Sequence, residues 1–263
     1  MPHVKTFPGD ITASVADAAG DDRPPLLLIH GMFGGAWQFA DWQRRLVERG
    51  RSSVAIDLRG HGTSGTVADI GRISLDDYVD DALAVARELG APPAVGHSMG
   101  GLIAQKLVEK GAVSAAVLVC AAPPRWISAL SASLLERMVK YAPALAFSRP
   151  LVPLRSDADA LFLGRLPAPE RDRVFERIQP ESGRAARELA LGSMSVDAKR
   201  VSHPMLSIGA ADDRFLPPRI ARAIAKKYDC EHREYAGHGH YIIAEPGWEK
   251  VADDVAAWLT ART

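Results

Sequence analysis

Cysteine and net charge are what this sequence has least of. Two Cys among 263 residues are too few for the disulfide framework of a small secreted domain or for a thiolate metal cage. Lys and Arg number 32, as do Asp and Glu, so no overall field attracts phosphate backbones or an anionic membrane. We therefore expect neither nucleic acid nor a membrane as a partner, and we expect Cys120 and Cys230 to be unpaired.

Long hydrophobic runs are also missing. No apolar stretch reaches the roughly 18 residues of a membrane-spanning helix, and the first ten residues lack the apolar region of a secretion signal. We expect a soluble, cytoplasmic protein, either a monomer or a homodimer. Hydrophobic residues still make up 47% of the chain, which is enough for a substantial core.

Short apolar runs alternate with segments of helical periodicity through most of the chain. Residues 26–29 and 116–119 are apolar at every position, as in strands that are covered on both faces. Strands are predicted at residues 26–30, 53–58, 94–96, 115–120, 205–209 and 231–235, and helices at residues 41–49, 74–89, 99–110, 219–226 and 248–262. The first twenty residues add a weaker hairpin signal. This order predicts an α/β fold, a mostly parallel sheet with crossover helices.

The alternation stops between residues 123 and 202. This stretch is rich in Ala, Leu and Arg with helical periodicity, and several prolines interrupt it. A helical insertion accounts for it better than a structureless loop of that length, which compact domains seldom contain. We therefore expect a core formed by residues 1–122 and 203–263, and a helical cap formed by residues 123–202.

The motif GHSMGG at residues 96–101 lies where a predicted strand gives way to a predicted helix. Reversing the chain over so few residues forces Ser98 into a strained conformation, and the flanking glycines remove Cβ atoms that would collide. The Ser98 hydroxyl then stands at a helix N-terminus, where the Met99 N–H can stabilise developing negative charge. Ser98 is the candidate nucleophile, and an incidental serine in a tight turn is the alternative.

A second glycine-rich motif, HGMFGG at residues 30–35, follows the first strongly apolar strand. It lacks both the GK[ST] ending and the GxGxxG spacing of phosphate-binding loops. Its glycines let the backbone pass close to a ligand, so we expect the Met32 and Met99 N–H groups to form an oxyanion hole, with a merely structural loop as the alternative. Phe33 and, in the insertion, Trp126 are candidate substrate-binding side chains, with a core position as the alternative for Phe33.

An acidic turn and a pair of glycine-flanked histidines follow the last two predicted strands. Asp212 or Asp213 can orient a histidine and stabilise its imidazolium, and Asp213 is preferred because it lies four residues before Pro217. A histidine on a flexible loop can carry a proton to and from a serine. His240 is preferred over His238 for this role. The two have no suitably spaced third ligand nearby, so no metal is expected.

Together these motifs resemble those of the α/β-hydrolase superfamily, and they occur in its order. They are HG at 30–31, DLRGHGTS at 57–64, GHSMG at 96–100, Asp213 before Pro217, GHGH at 237–240 and EP at 245–246. The resemblance implies a sheet of about eight strands, a cap over the site and a triad of Ser98, His240 and Asp213. The match to His240 rests on its five-residue distance to Glu245, and residues 57–64 are expected to brace the loops.

The resemblance implies a serine hydrolase that needs no cofactor. The first hypothesis is a carboxylesterase that cleaves uncharged esters of small or medium acyl chains through an acyl-enzyme. A serine nucleophile separates the chain from haloalkane dehalogenases and epoxide hydrolases, which carry Asp there. The motifs do not separate the esterase from carbon–carbon hydrolases, lactonases, cofactor-free haloperoxidases or perhydrolases, or hydroxynitrile lyases. A catalytically silent receptor is the alternative from another class.

Overall fold

The computed structural model describes residues 2–129 and 132–262. Its strands, numbered β1 to β8 in chain order, are His3–Phe7, Ile11–Ala16, Leu26–Ile29, Ser53–Ile56, Ala94–His97, Ala116–Val119, Met205–Ala210 and Glu231–Tyr235. They form one sheet in the order β1-β2-β4-β3-β5-β6-β7-β8. Strands β3 to β8 run parallel, and the β1–β2 hairpin joins them antiparallel through β4.

The helices of the described residues lie between and after the strands. Numbered α1 to α10 in chain order, they are Ala40–Glu48, Leu75–Glu88, Met99–Glu109, Ala132–Met138, Ala142–Ala146, Arg155–Ala158, Ala168–Glu176, Gly183–Ala190, Pro218–Tyr228 and Trp248–Thr260. Helix α2 begins with a capping box, in which the side chains of Ser74 and Asp77 each accept a hydrogen bond from the other's backbone N–H. None of the helices in these residues is long and apolar enough to cross a membrane.

The core lies on both faces of the sheet. Every residue of β3 to β7 is buried, whereas most of β1 and β8 at the two edges is not. Two apolar clusters separate cleanly by face, because side chains alternate along each strand. Leu27 and Ile29 belong to one cluster, and Leu26 and Leu28 belong to the other. The α/β architecture, the six predicted strands and the leading hairpin are thus confirmed.

The insertion predicted at residues 123–202 lies between β6 and β7. In its described part the structure has helices α4 to α8 and a π-helical turn, Asp159–Leu163, and none of it joins the main sheet. An isolated bridge pairs Leu151 with Glu181. Leu130 and Ser131 fall outside the described residues. The division into a core and a cap with these boundaries stays a prediction.

Gly100 lies in the first turn of α3, where the helix packs on the sheet. Substituting it tests how tight this packing is. A Cβ atom at this position would overlap the carbonyl oxygens of Ile29 and His30. We expect Gly100→Ala to lower the free energy of unfolding by more than about 3 kcal/mol, because the backbone must shift. Urea unfolding measures this loss.

Gly111, just beyond the other end of α3, supplies the matched control. Its φ is +65°, and a Cβ added there would have no other atom within 4 Å. Gly111→Ala should therefore cost only the about 1–2 kcal/mol of a left-handed alanine. Equal losses in the two variants would show that α3 does not pack on β3 as described.

Candidate active site

Ser98 occupies the turn between β5 and α3. Its φ of 55° and ψ of −117° are unusual for a residue with a side chain. The backbone is held there because Ser98 N–H donates to Val119 O at 3.0 Å and Ser98 O accepts from the N–H groups of Gly101 and Ala122. At Gly96 a Cβ would overlap the Gly100 carbonyl. The turn therefore depends on glycine, as predicted, and presents Ser98 at the carboxyl edge of the sheet.

Ser98, His240 and Asp213 form a continuous hydrogen-bonded chain. His240 Nε2 lies 3.0 Å from Ser98 Oγ, and His240 Nδ1 lies 2.8 Å from Asp213 Oδ2. All three side chains are buried. The other Asp213 oxygen accepts from the backbone N–H groups of Phe215 and Leu216, both at 2.8 Å. This carboxylate is thus fixed from two sides and in turn orients the imidazole.

The alternatives for the acid and the histidine lie elsewhere. Asp212 is half exposed and pairs with Arg165 at 3.0 Å. His238 Nδ1 lies 3.6 Å from Glu245 Oε2, and no described hydrogen bond links it to Ser98. The structure therefore brings together the preferred residues of each pair and leaves Asp212 and His238 outside the chain of hydrogen bonds.

The loop that carries His240 is braced by buried polar groups. The Gly239 N–H donates to Glu245 Oε2 at 2.6 Å, which gives the five-residue spacing to Glu245 a physical role. His97 Nε2 donates to His240 O at 2.9 Å. Burial, together with the nearby His240, lowers the pKa of His97 to about 3, so this histidine stays neutral and acts as a hydrogen-bond donor.

The loop after β3 approaches Ser98 closely. A Cβ at Gly31 would lie 3.0 Å from Ser98 Cβ and 3.3 Å from the His97 carbonyl, so the loop keeps this distance because residue 31 is glycine. Met32 and Phe33 line the same cavity as Ser98. Met99, the first residue of α3, is buried next to Ser98. The two residues predicted to supply the oxyanion donors thus lie close to the serine, and their role stays a prediction.

The segment at residues 57–64 braces the loops, in line with the structural role expected of it. Asp57 accepts from Ala36 N–H at 2.6 Å and from Thr63 N–H at 3.0 Å. Ser64 Oγ donates to Asp57 O and accepts from Thr12 N–H. The segment therefore ties the loop after β3 to the loop after β4.

An apolar cavity opens beside Ser98, lined by core residues and by the insertion. The insertion contributes Leu134, Met138, Tyr141, Leu161 and Phe162, among others. Phe33 lines it as predicted, and its ring stacks on that of Phe162 with centroids 6.3 Å apart. Trp126 does not reach it. Its side chain is 85% exposed and stacks with the Arg125 guanidinium.

The fold and this arrangement of residues can be compared with known proteins. The family model for the alpha/beta hydrolase family matches residues 26–254, which is most of the chain. The chain belongs to the alpha/beta hydrolase family. Its eight-stranded sheet and the serine turn after β5 are therefore family features.

Named relatives of this alpha/beta hydrolase have several activities. A monoacylglycerol lipase of Mycolicibacterium smegmatis is 27% identical over 92% of this chain and 89% of its own. A non-heme chloroperoxidase of Burkholderia pyrrocinia is 35% identical over 47% of this chain and 46% of its own. A probable alcohol acetyltransferase of Saccharomyces cerevisiae is 34% identical, and only 34% of its length is covered.

Solved structures agree with the fold. A thermophilic esterase from Thermogutta terrifontis superposes with a TM-score of 0.73 over all of both chains, at 21% identity. A Paleococcus ferrophilus monoacylglycerol lipase gives a TM-score of 0.75 at 19% identity, covering 96% of this chain and 99% of its own. At these identities the likeness concerns the fold alone.

One group of potential metal ligands converges in the described part of this alpha/beta hydrolase. Cys120, Asp213 and His240 place ligand atoms within 4.8 Å of one another. Asp213 Oδ2 and His240 Nδ1 already bond each other at 2.8 Å. Burial and the Asp213 charge raise the pKa of the Cys120 thiol, whereas a metal needs the thiolate. The residues therefore fit a hydrogen-bonded pair better than a metal site.

The sequence did not point to Glu181, a fully buried carboxylate that reaches this site from the insertion. It accepts from the Phe33 N–H at 3.2 Å and from the Tyr78 hydroxyl at 2.6 Å. The residue lies 148 positions from Phe33, and no spacing rule connects them. The one local signal is the adjacent Ser182, which caps α8.

Proposed function

We propose that this alpha/beta hydrolase is a serine carboxylesterase for uncharged esters of short to medium acyl chains. The observation that carries the proposal is the hydrogen-bonded chain from Ser98 through His240 to Asp213, with distances of 3.0 and 2.8 Å. Ser98 lines an apolar cavity, and the loop that would bind an oxyanion lines the same cavity.

Acylation begins when Ser98 Oγ attacks the ester carbonyl carbon while His240 Nε2 takes the hydroxyl proton. Asp213 stabilises the resulting imidazolium through Nδ1. The carbonyl oxygen becomes an oxyanion and accepts hydrogen bonds from the Met32 and Met99 N–H groups. The C–O bond to the alcohol then breaks, and His240 returns the proton to the leaving alkoxide.

Deacylation releases the acid. His240 deprotonates a water that attacks the acyl carbon, and the Ser98 ester bond breaks as Ser98 Oγ recovers the proton. A polar cavity of about 370 Å³ is lined by His240 and Gly239. Leu161 and Phe162 line both cavities. In this proposal the polar cavity admits water and the apolar one holds the acyl chain.

The insertion acts as the cap that shapes the acyl site. Its apolar side chains face Ser98 across a cavity of about 110 Å³, somewhat smaller than the ~150 Å³ apolar cavities that hold a benzene molecule. Among the described residues that line it, the charged one is Asp157, which is paired with Arg137 and Lys140 and accepts from the Tyr141 hydroxyl. An apolar acyl chain of few carbons is therefore the best match.

Substitution of Ser98 and of the adjacent residues Asp212 and Asp213 tests the assignment of the catalytic residues. Ser98→Ala should lower kcat for p-nitrophenyl butyrate by roughly 10⁴–10⁶-fold, and Asp213→Asn by about 10⁴-fold, as in other triads. Asp212→Asn loses only a half-exposed ion pair, which is worth about 0–1 kcal/mol of stability. It should keep kcat within about threefold of the wild type, as stopped-flow or steady-state assays measure.

Retained ester hydrolysis in Ser98→Ala would contradict the assignment, as would equal losses in the two aspartate variants. Circular dichroism checks that each variant is folded. A wild-type protein that turns over only a dienol-diketone, a lactone, or acetate with hydrogen peroxide would favour the other activities that this triad supports.

Two residues of helix α4, Met138 and Leu135, allow a matched test of which acyl-chain lengths the site accepts. Met138 lines the cavity, whereas Leu135 on the same helix is 56% exposed and does not. We expect kcat/KM of the wild type to fall at least about tenfold once the acyl chain outgrows the cavity, since one methylene is worth about 1–3 kcal/mol in such pockets. Met138→Ala should move this limit to longer esters.

Leu135→Ala should leave the profile of kcat/KM against chain length unchanged. The measurement is a series of p-nitrophenyl esters from acetate to decanoate. A limit that shifts equally in both variants, or in neither, would show that α4 does not bound the acyl site.

A further inference from the structure

The backbone of Phe33 is held on both sides by the insertion. Its N–H donates to Glu181 Oε2 at 3.2 Å, and its carbonyl accepts from the Gln179 N–H at 3.1 Å. Phe33 has a φ of 65°, a left-handed conformation that costs a residue with a side chain roughly 1–2 kcal/mol. These contacts therefore hold a backbone conformation that Phe33 would not favour by itself.

Several hydrogen bonds fix the position of the Glu181 carboxylate. Its Oε1 accepts from the Tyr78 hydroxyl at 2.6 Å and from the Ser182 N–H at 2.7 Å. With the Phe33 N–H, three donors meet one fully buried group. A carboxylate can satisfy them all because it only accepts hydrogen bonds. An amide of the same shape would turn an NH₂ group toward at least one of these donors.

The charge of Glu181 is balanced by His61. His61 Nε2 lies 3.4 Å from Glu181 Oε2, while its Nδ1 donates to Arg59 O at 3.2 Å. Since Nδ1 carries a proton, Nε2 must carry one as well to face a carboxylate favourably. Burial lowers the pKa of His61, but the Glu181 charge outweighs it and the net shift is upward. The two side chains thus form a buried ion pair.

A second line of contacts runs from this ion pair to the peptide before Met32. The His61 ring packs on the His30 ring with centroids 5.2 Å apart. His30 Nε2 accepts from the Leu58 N–H at 3.1 Å, so Nδ1 carries the proton and donates to Gly31 O at 2.7 Å. This carbonyl and the Met32 N–H belong to one planar peptide unit. Fixing the carbonyl therefore fixes the direction of the N–H.

We infer that Glu181 is a positioning residue for the oxyanion loop. By holding Phe33 directly and the Gly31–Met32 peptide through His61 and His30, it aims the Met32 N–H at the substrate carbonyl. The inference rests on the proposed esterase function, and it assigns to one buried carboxylate of the insertion a part in transition-state binding. Glu181 touches no reacting atom, so its effect is on geometry.

Glu181→Gln tests the inference at almost constant side-chain volume. We expect kcat for p-nitrophenyl butyrate to fall about 10–100-fold with KM within about threefold, because a misdirected oxyanion donor affects the transition state more than the ground state. Rates are expressed per active site titrated with a fluorophosphonate. Inhibition by a trifluoromethyl ketone, whose adduct carries the oxyanion, should weaken by the same factor as kcat/KM.

Ser182→Ala is the matched control. The Ser182 hydroxyl donates to Gly71 O and Ile73 O and accepts from the Ala185 N–H, so its removal loosens the same segment without touching Phe33. This variant should lose thermal stability but keep kcat per active site and ketone affinity. If Glu181→Gln does not fold, Glu181→Asp keeps the charge but withdraws it from Phe33, and the same losses are expected.

The outcomes separate the two proposals. If the wild type is active and Glu181→Gln keeps kcat per active site and ketone affinity, the inference alone is overturned. It is also overturned if Ser182→Ala loses as much kcat and ketone affinity as Glu181→Gln, since that would indicate general loosening of the segment. A wild type that cleaves no ester overturns the proposed function and this inference with it. Selective losses in the Glu181 variants support both.

Discussion

The backbone at Ser98 is the constraint on which the rest of the structure depends. A residue with a side chain is held at φ 55° between β5 and α3, and that conformation persists because surrounding groups leave it no alternative. In β6, Val119 O accepts a hydrogen bond from the Ser98 N–H, and α3 approaches β3 closely enough that Gly100 tolerates no Cβ. The packing of helix on sheet and the presentation of the Ser98 hydroxyl to the cavity are therefore one requirement.

The protonation states of the buried histidines around this turn differ, and each is determined by the groups that the histidine contacts. His30 bonds to the backbone of Gly31 and Leu58, and burial together with His61 lowers its pKa to about 4. His97 is neutral for the same reason, since it donates to a carbonyl. His61 faces the Glu181 carboxylate instead, which raises its pKa and favours the charged form. Each protonation state supports a different bond in the loops around Ser98, so the site is organised before any substrate binds.

Features that depend on local backbone geometry could be predicted from the sequence. The glycines around Ser98 and Gly31 are required by turns and close approaches within a few residues, and buried strands are visible as continuous apolar runs. Asp213 and His240 followed from the order and spacing of motifs. Their placement in one chain of hydrogen bonds needed the structure, because Asp212 and His238 lie only one and two residues away.

Features that depend on long-range contacts could not be predicted. Glu181 meets Tyr78 across 103 positions and Phe33 across 148, and a single charged residue in a helical insertion ordinarily points to solvent. Trp126 shows the converse. Its aromatic character suggested the pocket, but no periodicity fixed its direction, and the structure leaves it exposed. Composition alone does not tell which side chains of an insertion face the site.

The central claim is that Ser98 is the one nucleophile and that His240 activates it. Peptide mass spectrometry after brief exposure to a fluorophosphonate tests this directly, because the reagent bonds covalently to an activated serine and leaves other serines unmodified. The account predicts a single adduct, on Ser98, that is lost in folded His240→Gln and retained in folded His238→Gln. An adduct on another residue, or undiminished labelling of Ser98 in His240→Gln, would contradict it.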